Sequence, residues 1–239
     1  MSIDGGRLDN VLANTGPVLL DFDGPVCAMY PGDLNRQACD TLRQQLRDAG
    51  VEILPGLASE RDPLAILRHG ASLGEPGLAT ALDRTLTAIE VQAAHAAPAT
   101  RGSADFMRAC AEAGRPVVIV SNNAQEAIQG YLDLNSLRHL VHAVIGREHG
   151  QPELMKPHPH SVTDALQILA RLASECLMVG DSVTDIEVSH AIGLRSVAYV
   201  KAPDRWHSLL AAESDAYTDS MTDLAEAVRS HGQATPAEA

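Results

Sequence analysis

The sequence is poor in several residue types, and each shortage excludes a class of protein. Aromatic residues make up 3% of the chain, and its two lysines stand at positions 156 and 201. With a formal net charge of −13, the chain offers no strongly basic surface for nucleic acid or an anionic membrane. No stretch is long and apolar enough to span a bilayer. We therefore expect neither nucleic acid nor a membrane as the main partner. An anionic ligand can still meet positive charges gathered in one pocket.

Cysteine pairs are also missing from the sequence. Cys27, Cys39, Cys110 and Cys176 are scattered and form no CxxC motif. Unpaired thiols of this kind are typical of reduced cytoplasmic proteins. The first residues carry neither the positive charge nor the apolar stretch of a secretory signal. Both observations predict a cytoplasmic protein.

The most informative stretch is 17–26, Pro-Val-Leu-Leu-Asp-Phe-Asp-Gly-Pro-Val. Its apolar run predicts a buried strand of a parallel sheet, ended by a turn at Gly24-Pro25. Because residues i and i+2 of an extended chain project to the same side, Asp21 and Asp23 point together beyond the carboxyl end of the strand. Open α/β sheets bind ligands there. Two adjacent carboxylates are costly without a cation or a shared proton, but a strand that simply ends at an Asp-Gly turn is the alternative.

The rest of the chain shows two patterns. Residues 29–97 have helical apolar spacing and no convincing strand, with helices expected over 34–49, 63–70 and 77–94. From residue 98 onward helices and strands alternate, which predicts the α/β class with a Rossmann-like, doubly wound parallel sheet. We therefore expect a core domain formed by 1–28 and 98–239, with 29–97 inserted as an all-helical cap.

The expected elements of the second part can be given by their ranges. The strands after the first cover 116–120, 143–146, 176–180 and 196–200, the last of which is expected to end the sheet. The helices cover 103–113, 124–134, 159–172, 184–192, 204–212 and 219–230, and a frayed tail is expected over 232–239.

Polar residues recur where these strands end. They are Ser121 and Asn122, then Lys156 in a loop before a helix, and then Asp181 and Asp185. Since the carboxyl ends of parallel strands lie on one edge, these groups can converge on Asp21 and Asp23. Helix N-capping explains the serine, asparagine and aspartate residues one at a time. It does not explain their combination with a lysine in a chain that has only two.

In order and approximate spacing, these residues resemble the four motifs of the haloacid dehalogenase superfamily. The motifs are Asp21-Phe22-Asp23-Gly24, a strand ending in Ser121-Asn122, Lys156-Pro157, and Gly180-Asp181-Ser182-x-x-Asp185. The helical insertion resembles the cap of phosphoglycolate-phosphatase-like members. The sequence departs from the usual pattern at Pro25 and at Ser189-His190, which lie outside the expected catalytic groups. These departures bear on the assignment to a subfamily and not on the expected chemistry.

The resemblance implies catalytic roles for four residues. Asp21 would be the nucleophile that forms an aspartyl-phosphate. Asp23 would protonate the leaving oxygen and then deprotonate the attacking water. Ser121 and Lys156 would hold the phosphoryl oxygens, with the main chain near Asn122 assisting.

The resemblance also implies a magnesium ion. Asp21, the main-chain carbonyl of Asp23, and Asp181 would bind it, while Asp185 would support Asp181 or Lys156; together these four aspartates form the expected metal set. Two carboxylates about 4 Å apart repel by roughly 4 kcal/mol at an effective dielectric constant near 20. Four of them facing a phosphate would not stay ionised unaided, and an all-oxygen ligand set suits Mg²⁺.

The function implied is a magnesium-dependent phosphatase that hydrolyses a small phosphorylated metabolite, a phosphomonoester. Haloacid dehalogenases lack an acid at the position of Asp23, and phosphonoacetaldehyde hydrolases need a cap lysine, which residues 29–97 do not contain. A phosphomutase of the same superfamily remains an alternative, and a non-catalytic binding or regulatory protein is a further one. The substrate and the oligomeric state stay open.

The cap is expected to move and to contact the substrate. Its two connections to the core, near 29–31 and 97–100, contain proline and are the expected hinges. Its basic residues are expected mostly on the solvated face, with one or two reaching the substrate. They are Arg36, Arg43, Arg61, Arg68, His69 and Arg84.

Overall fold

A six-stranded parallel sheet forms the framework of the computed structural model, which describes residues 5–232. The strands are β1 (Val18–Leu20), β2 (Val117–Ala124), β3 (Ala143–Arg147), β4 (Leu177–Gly180), β5 (Arg195–Tyr199) and β6 (Ala216–Thr218). Their spatial order is β3-β2-β1-β4-β5-β6, and each neighbouring pair is parallel. The direction of winding therefore reverses between β1 and β4, where ligands bind in open α/β sheets.

Helices cover both faces of this sheet, which confirms the predicted fold class. They are α1 (Gly5–Ala13), α6 (Ser103–Glu112), α7 (Gln125–Leu134), α8 (His160–Leu169), α9 (Val183–Ile192), α10 (Trp206–Ala211) and α11 (Met221–Gly232). Val18 and Leu20 pack in the core layer of α1, α6, α7 and α11, whereas Leu19 packs in the layer of α8 and α9. Because β1 is buried on both faces, its sequence is apolar without alternation.

The inserted segment is helical, as expected. Its helices are α2 (Leu34–Asp48), α3 (Pro55–Ser59), α4 (Pro63–Ser72) and α5 (Pro76–Ala96). They share a hydrophobic cluster of their own that includes Leu42, Leu67 and Leu82, while Ala93 and Ala94 at the end of α5 pack in the core of the sheet domain. Helix α5 thus contacts both parts of the molecule.

The two connections between the insertion and the sheet domain lie side by side. The Ala28 N–H donates to the Pro98 carbonyl over 3.0 Å, and the Thr100 N–H donates to the Val26 carbonyl over 3.0 Å. These bonds hold the outgoing and returning chains together next to the first strand.

Several element boundaries differ from the sequence predictions. The expectation that 196–200 is the last strand is wrong, because β6 pairs with β5 beyond it; three residues are too few for a periodic signal. Residues 55–59 lie outside the helices expected from the sequence but form α3. Strand β2 continues past Val120 through a register shift, and α8 ends at Leu169 because Ala170 adopts φ 50°.

Two other expectations concern the chain ends and the membrane. The tail expected over 232–239 lies outside the described residues, apart from Gly232, which ends α11. Between residues 5 and 232, no helix combines the length and the apolar character needed to cross a membrane.

Candidate active site

The sequence-predicted site residues meet at the carboxyl edge of the sheet, around a cavity of about 500 Å³. Six of them line the cavity: Asp21, Asp23, Ser121, Asn122, Lys156 and Asp181. The seventh, Asp185, is fully buried and bonded to Lys156. The cap adds Tyr30, Asn35, Arg61, Asp62, Leu64 and Arg68 to the lining, and the sheet domain also contributes Lys201 and Arg205. The cavity is therefore lined by groups from both parts of the chain.

The turn after β1 fixes the first two carboxylates. The Asp21 N–H donates to the Val179 carbonyl over 2.9 Å, which continues the sheet pairing to the edge of the cavity. Asp23 is half-buried, and its Oδ1 accepts a hydrogen bond of 3.0 Å from the Met29 N–H. Gly24 has φ 115°, and a Cβ there would lie 2.4 Å from Cγ of Asp181. Glycine is therefore required both for the turn and for the approach of Asp181.

Lys156 connects three elements at the floor of the cavity. Its ammonium group donates to Asp21 Oδ1 over 2.9 Å, to Asp185 Oδ1 over 2.6 Å and to the Val120 carbonyl over 2.8 Å. These bonds use all three of its N–H groups, and the residue is 1% exposed. Burial alone would lower the pKa of Lys156, but the Asp185 and Asp21 carboxylates raise that pKa above its ordinary value.

Asp185 fixes Lys156 and caps α9 at the same time. Its Oδ2 accepts from the Ser182 N–H over 3.1 Å and from the Ser182 hydroxyl over 2.6 Å. The Asp185 N–H donates back to Ser182 Oγ over 3.3 Å, which completes a capping box. A Cβ on Gly180 would lie 2.3 Å from this oxygen. The sequence left open whether Asp185 supports Asp181 or Lys156, and the direct bond is to Lys156. Helix capping and site chemistry therefore use the same residue.

Three carboxylates lie close enough to share a metal ion. Within the described part of the chain, Asp21, Asp181 and Asp185 each offer an oxygen, and these oxygens lie within 4.8 Å of one another. Oxygen-only donors of this kind fit Mg²⁺. The side chain of Asp23 is not part of this group, and the expected contribution of that residue is its main-chain carbonyl. The residues present therefore fit the expected cation.

Burial raises the pKa of two of these carboxyl groups. The pKa of Asp21 rises to about 7, because burial and the neighbouring Asp185 and Asp181 outweigh the effect of Lys156. The pKa of Asp181 rises to about 6 through burial, against the opposing effect of Lys201. A bound divalent cation would favour the ionised forms of both groups.

Sequence reasoning missed Lys201 as a site residue. Its ammonium group lies 2.5 Å from Asp181 Oδ2, at the rim of the cavity. The signal was present in the sequence, because Lys201 is one of two lysines and directly follows the strand predicted over 196–200.

We call residues 121–124, the irregular end of β2 beyond its register shift, loop 121–124. Its residues Ser121 and Asn122, the Ser121-Asn122 loop, are bound to the segment that carries Lys156. The side chain of Asn122 donates to the Lys156 carbonyl over 3.1 Å and accepts from the Lys156 N–H over 2.8 Å. The Ser121 hydroxyl donates to Asn123 Oδ1 over 3.2 Å. The second and third motifs thus form one rigid unit beside Asp21.

The basic residues of the cap do not behave alike. Arg61 and Arg68 line the cavity, and Arg68 donates to the Lys156 carbonyl over 2.9 Å. Arg43 is buried and donates to the carbonyls of Leu57 and Glu60. Arg43 is an exception to the mostly solvated positions expected for this set, because its guanidinium satisfies carbonyls around the short helix α3 that the sequence did not reveal.

A second ionic group lies behind the Ser121-Asn122 loop and was also missed. Arg147 at the end of β3 forms buried ion pairs with Asp83 and Glu90 of α5. Asp83, Thr87 and Glu90 are spaced i, i+4 and i+7, which places them on one helical face. A polar face on a helix whose other residues are largely apolar was the signal in the sequence that could have indicated a buried ionic group.

Comparison with protein families agrees with this arrangement. A model of the haloacid dehalogenase-like hydrolase family matches residues 18–193. The chain is 32% identical over 111 residues to pyrophosphatase PpaX of Bacillus cereus (strain AH820), which covers 46% of this chain and 50% of that protein. It is 30% identical over 118 residues to a putative pyrophosphatase PpaX of Caldanaerobacter subterraneus, covering 49% and 53%. The matches span about half the length of these curated relatives.

Solved structures share the fold over most of the chain. A predicted phosphatase from Clostridium acetobutylicum has a TM-score of 0.66 at 14% identity, covering 89% of this chain and 97% of that one. A predicted phosphoglycolate phosphatase from Haemophilus somnus has a TM-score of 0.64 at 18% identity, covering 89% and 97%. At these identities the similarity concerns the fold, including the helical insertion.

Proposed function

Since this chain belongs to the haloacid dehalogenase-like hydrolase family, we propose that it is a magnesium-dependent phosphatase acting on a small phosphomonoester. The observation that carries the proposal is the ammonium group of Lys156. It is buried and bridges Asp21 and Asp185 at the floor of a cavity that Ser121 and Asp181 also line. A phosphoryl group placed there would meet a nucleophile, a fixed positive charge and hydrogen-bond donors together.

The proposed reaction begins at Asp21. Lys156 holds one oxygen of this carboxylate, which orients the group toward the phosphorus atom and favours its ionised form. Attack on phosphorus forms the aspartyl-phosphate and breaks the bond to the leaving oxygen. When bound, Mg²⁺ would be held by the carboxylates of Asp21, Asp181 and Asp185 and the carbonyl of Asp23, and would supply positive charge next to the phosphoryl oxygens.

Asp23 is the proposed acid and base. The Met29 N–H fixes one of its oxygens, which leaves the other to donate a proton to the leaving oxygen. The same carboxylate then takes a proton from the water that hydrolyses the aspartyl-phosphate. The Ser121 hydroxyl and the main chain near Asn122 hold the phosphoryl oxygens in both steps, and Lys156, whose three N–H groups are already bonded, supplies positive charge beside them.

Inorganic pyrophosphate is a second candidate substrate. The relatives reported above are named pyrophosphatases, and the cavity has more positive charge than one phosphoryl group requires. Besides Lys156 it is lined by Arg61, Arg68, Lys201 and Arg205. Cationic side chains of this kind can bind the second anionic group of such a substrate.

A substrate panel with a matched variant tests the proposal. Purified protein with Mg²⁺ is incubated with phosphorylated metabolites and pyrophosphate, and phosphate release is measured beside the Asp21→Asn variant. We expect release from at least one compound, loss of that release in Asp21→Asn, and loss in EDTA. Isomerised products without phosphate release would indicate the phosphomutase alternative. Full activity of Asp21→Asn or in EDTA would contradict the mechanism.

A cytoplasmic location is also a proposal. It is supported by the four cysteines, which are all buried as free thiols.

Burial raises the pKa of Cys27, which lies close to the site, well above its ordinary value. A thiol held in its protonated form is a weak nucleophile, so Cys27 has no role in the proposed chemistry.

A further inference from the structure

A buried ionic group joins the last cap helix to the loop that follows the main part of β2. Asp83 is 2% exposed, Glu90 0% and Arg147 5%. Burial of three charges is costly unless each is paired and hydrogen-bonded. The hydrogen bonds of this group therefore indicate which parts of the molecule it fixes.

Arg147 uses all five of its N–H groups. Nε donates to Asp83 Oδ1 over 2.7 Å, and the two terminal nitrogens donate to Glu90 over 3.1 and 3.0 Å. The remaining bonds reach Thr87 Oγ1 over 3.3 Å and the Asn122 carbonyl over 2.9 Å. The last of these places the guanidinium against the main chain of the proposed phosphate-binding loop.

Glu90 binds the same loop from the other side of the guanidinium. Its carboxylate accepts from Asn123 Nδ2 over 3.0 Å, from the Ala124 N–H over 2.9 Å and from the Tyr30 hydroxyl over 3.1 Å. An ionised carboxylate only accepts hydrogen bonds, so the Asn123 amide must turn its NH₂ toward Glu90. Its Oδ1 then faces the Ser121 hydroxyl, 3.2 Å away. Glu90 thereby sets the position of the Ser121 oxygen through Asn123, and the single hydroxyl hydrogen turns from Asn123 to donate to a phosphoryl oxygen.

We propose that Arg147 and Glu90 are positioning residues for the phosphoryl group, because together they clamp loop 121–124 to cap helix α5. We call this pair the Arg147–Glu90 clamp. The inference rests on the proposed function, in which Ser121 and the main chain near Asn122 bind phosphoryl oxygens. Neither clamp residue lines the cavity, so the clamp acts through the loop and not by touching the substrate.

The decisive variant replaces both partners, Glu90→Leu with Arg147→Met. Apolar groups of similar length avoid the unpaired charge that either single change would leave on the other clamp residue. Asp83 keeps His149 and the Gly150 N–H as partners, so the fold should survive. We expect a cooperative thermal transition and kcat/KM for the best substrate reduced roughly 10- to 100-fold, because small displacements of binding groups cost rate steeply. Affinity for inorganic phosphate should fall in parallel, as measured by calorimetry. Affinity for Mg²⁺ should stay unchanged, since its expected ligands do not contact the clamp.

Two further variants separate positioning from general stability. Arg43→Met is the matched control, because Arg43 is also a buried arginine but donates to Leu57 and Glu60 inside the cap. It should lower the melting temperature and leave phosphate affinity unchanged. Arg147→Lys keeps the buried charge without the five-bond geometry. It should fold and lose part of the phosphate affinity.

The outcomes that overturn the proposal are distinct from failure of the proposed function. Unchanged kcat/KM and phosphate affinity in the folded double variant would refute the clamp, and so would an equal loss of Mg²⁺ and phosphate binding. If the wild type neither hydrolyses phosphomonoesters nor binds phosphate, the proposed function fails by itself. Amide hydrogen exchange at Ala124, whose N–H is bound by Glu90, then decides the clamp: faster exchange in the double variant supports it, and equal exchange refutes it.

Discussion

At the scale of single residues, the site depends on charges that stabilise one another. Lys156 is buried with all three of its protons bonded, and two of its partners are carboxylates. Loss of one member would leave the others buried without compensation, which typically costs about 3–5 kcal/mol. Substitutions at Asp21, Lys156 and Asp185 should therefore be judged by stability as well as by activity.

The two jobs assigned to Asp23 can be separated by the leaving group. The Asp23→Asn variant cannot protonate the leaving oxygen of an alkyl phosphate. Its reaction with such a substrate should therefore be roughly 100- to 10,000-fold slower. With p-nitrophenyl phosphate the leaving group needs little protonation, so attack by Asp21 should remain comparatively fast while hydrolysis of the intermediate becomes limiting. Rapid-quench kinetics should show a burst approaching one equivalent and a phosphorylated Asp21 by mass spectrometry. Near wild-type turnover without a burst would show that Asp23 is not the acid–base residue.

The raised carboxyl pKa values predict that Mg²⁺ competes with protons. Asp21, with a pKa of about 7, and Asp181, with a pKa of about 6, must be ionised to bind the metal. In the metal-free protein both groups are therefore more protonated at about pH 5.5 than at about pH 8. Calorimetry should therefore show tighter Mg²⁺ binding at the higher pH, with proton release that is larger at the lower pH. Affinity independent of pH over this range would contradict the assignment of these ligands.

At the scale of elements, His149 connects two helices to the segment after β3. Its ring nitrogens lie 3.0 Å from Asp83 of α5 and 2.9 Å from Glu126 of α7. The hydrogen bonds with Asp83 and Glu126 raise the pKa of His149. A raised folded-state pKa contributes stability that is fully present below the unfolded value and is lost as pH rises through the folded value.

The His149→Gln variant should therefore destabilise the protein only in acid. We expect a lower melting temperature than wild type at about pH 5.5 and an equal one at about pH 9. The effect should be small, because the side chain is 59% exposed and solvent screens its ion pairs. His139→Gln, on the exposed face of the 3-10 helix Arg138–Leu140, is the control. A difference that is the same at both pH values would show that His149 acts without its charge.

At the scale of the whole molecule, the cap and the core are joined by the two chain connections and by the Arg147–Glu90 clamp. The connections at Ala28 and Thr100, where we expect the hinges, are joined by two backbone hydrogen bonds, whereas the Arg147–Glu90 clamp crosses the same boundary with a buried ion pair. A rotation of the cap must break the clamp. The clamp therefore favours the cap position of this structure, in which loop 121–124 is held.

We expect cap rotation about the connections near 29–31 and 97–100, and we expect it to be larger without the clamp. Crystal structures of wild type and of the Glu90→Leu/Arg147→Met variant, each with and without a metal fluoride as phosphate mimic, measure the cap angle directly. The ligand-free variant should show the widest opening. The same cap position in all four structures would contradict both the hinges and the role of the clamp in closure.

The sequence by itself determined the sheet class, the helical insertion and the set of groups at the sheet edge. The apolar run before Asp21 marks a strand buried on both faces, and strand ends in a parallel sheet share one edge. Four motifs in order therefore sufficed to bring Ser121, Lys156 and Asp181 to Asp21. These features follow from local periodicity and from the parallel arrangement of the strands, both of which can be predicted from the sequence.

Only the tertiary structure decided the partners of those groups. Residues 216–218 are too short to give a periodic signal and became a strand through pairing with β5. Lys201 reaches Asp181, and Arg147 meets Glu90, across long separations along the chain. Such ion pairs depend on the register and packing of distant elements, and not on any local pattern. The sequence therefore indicated the reacting groups, and the packing of α5 against the core decided what holds them in place.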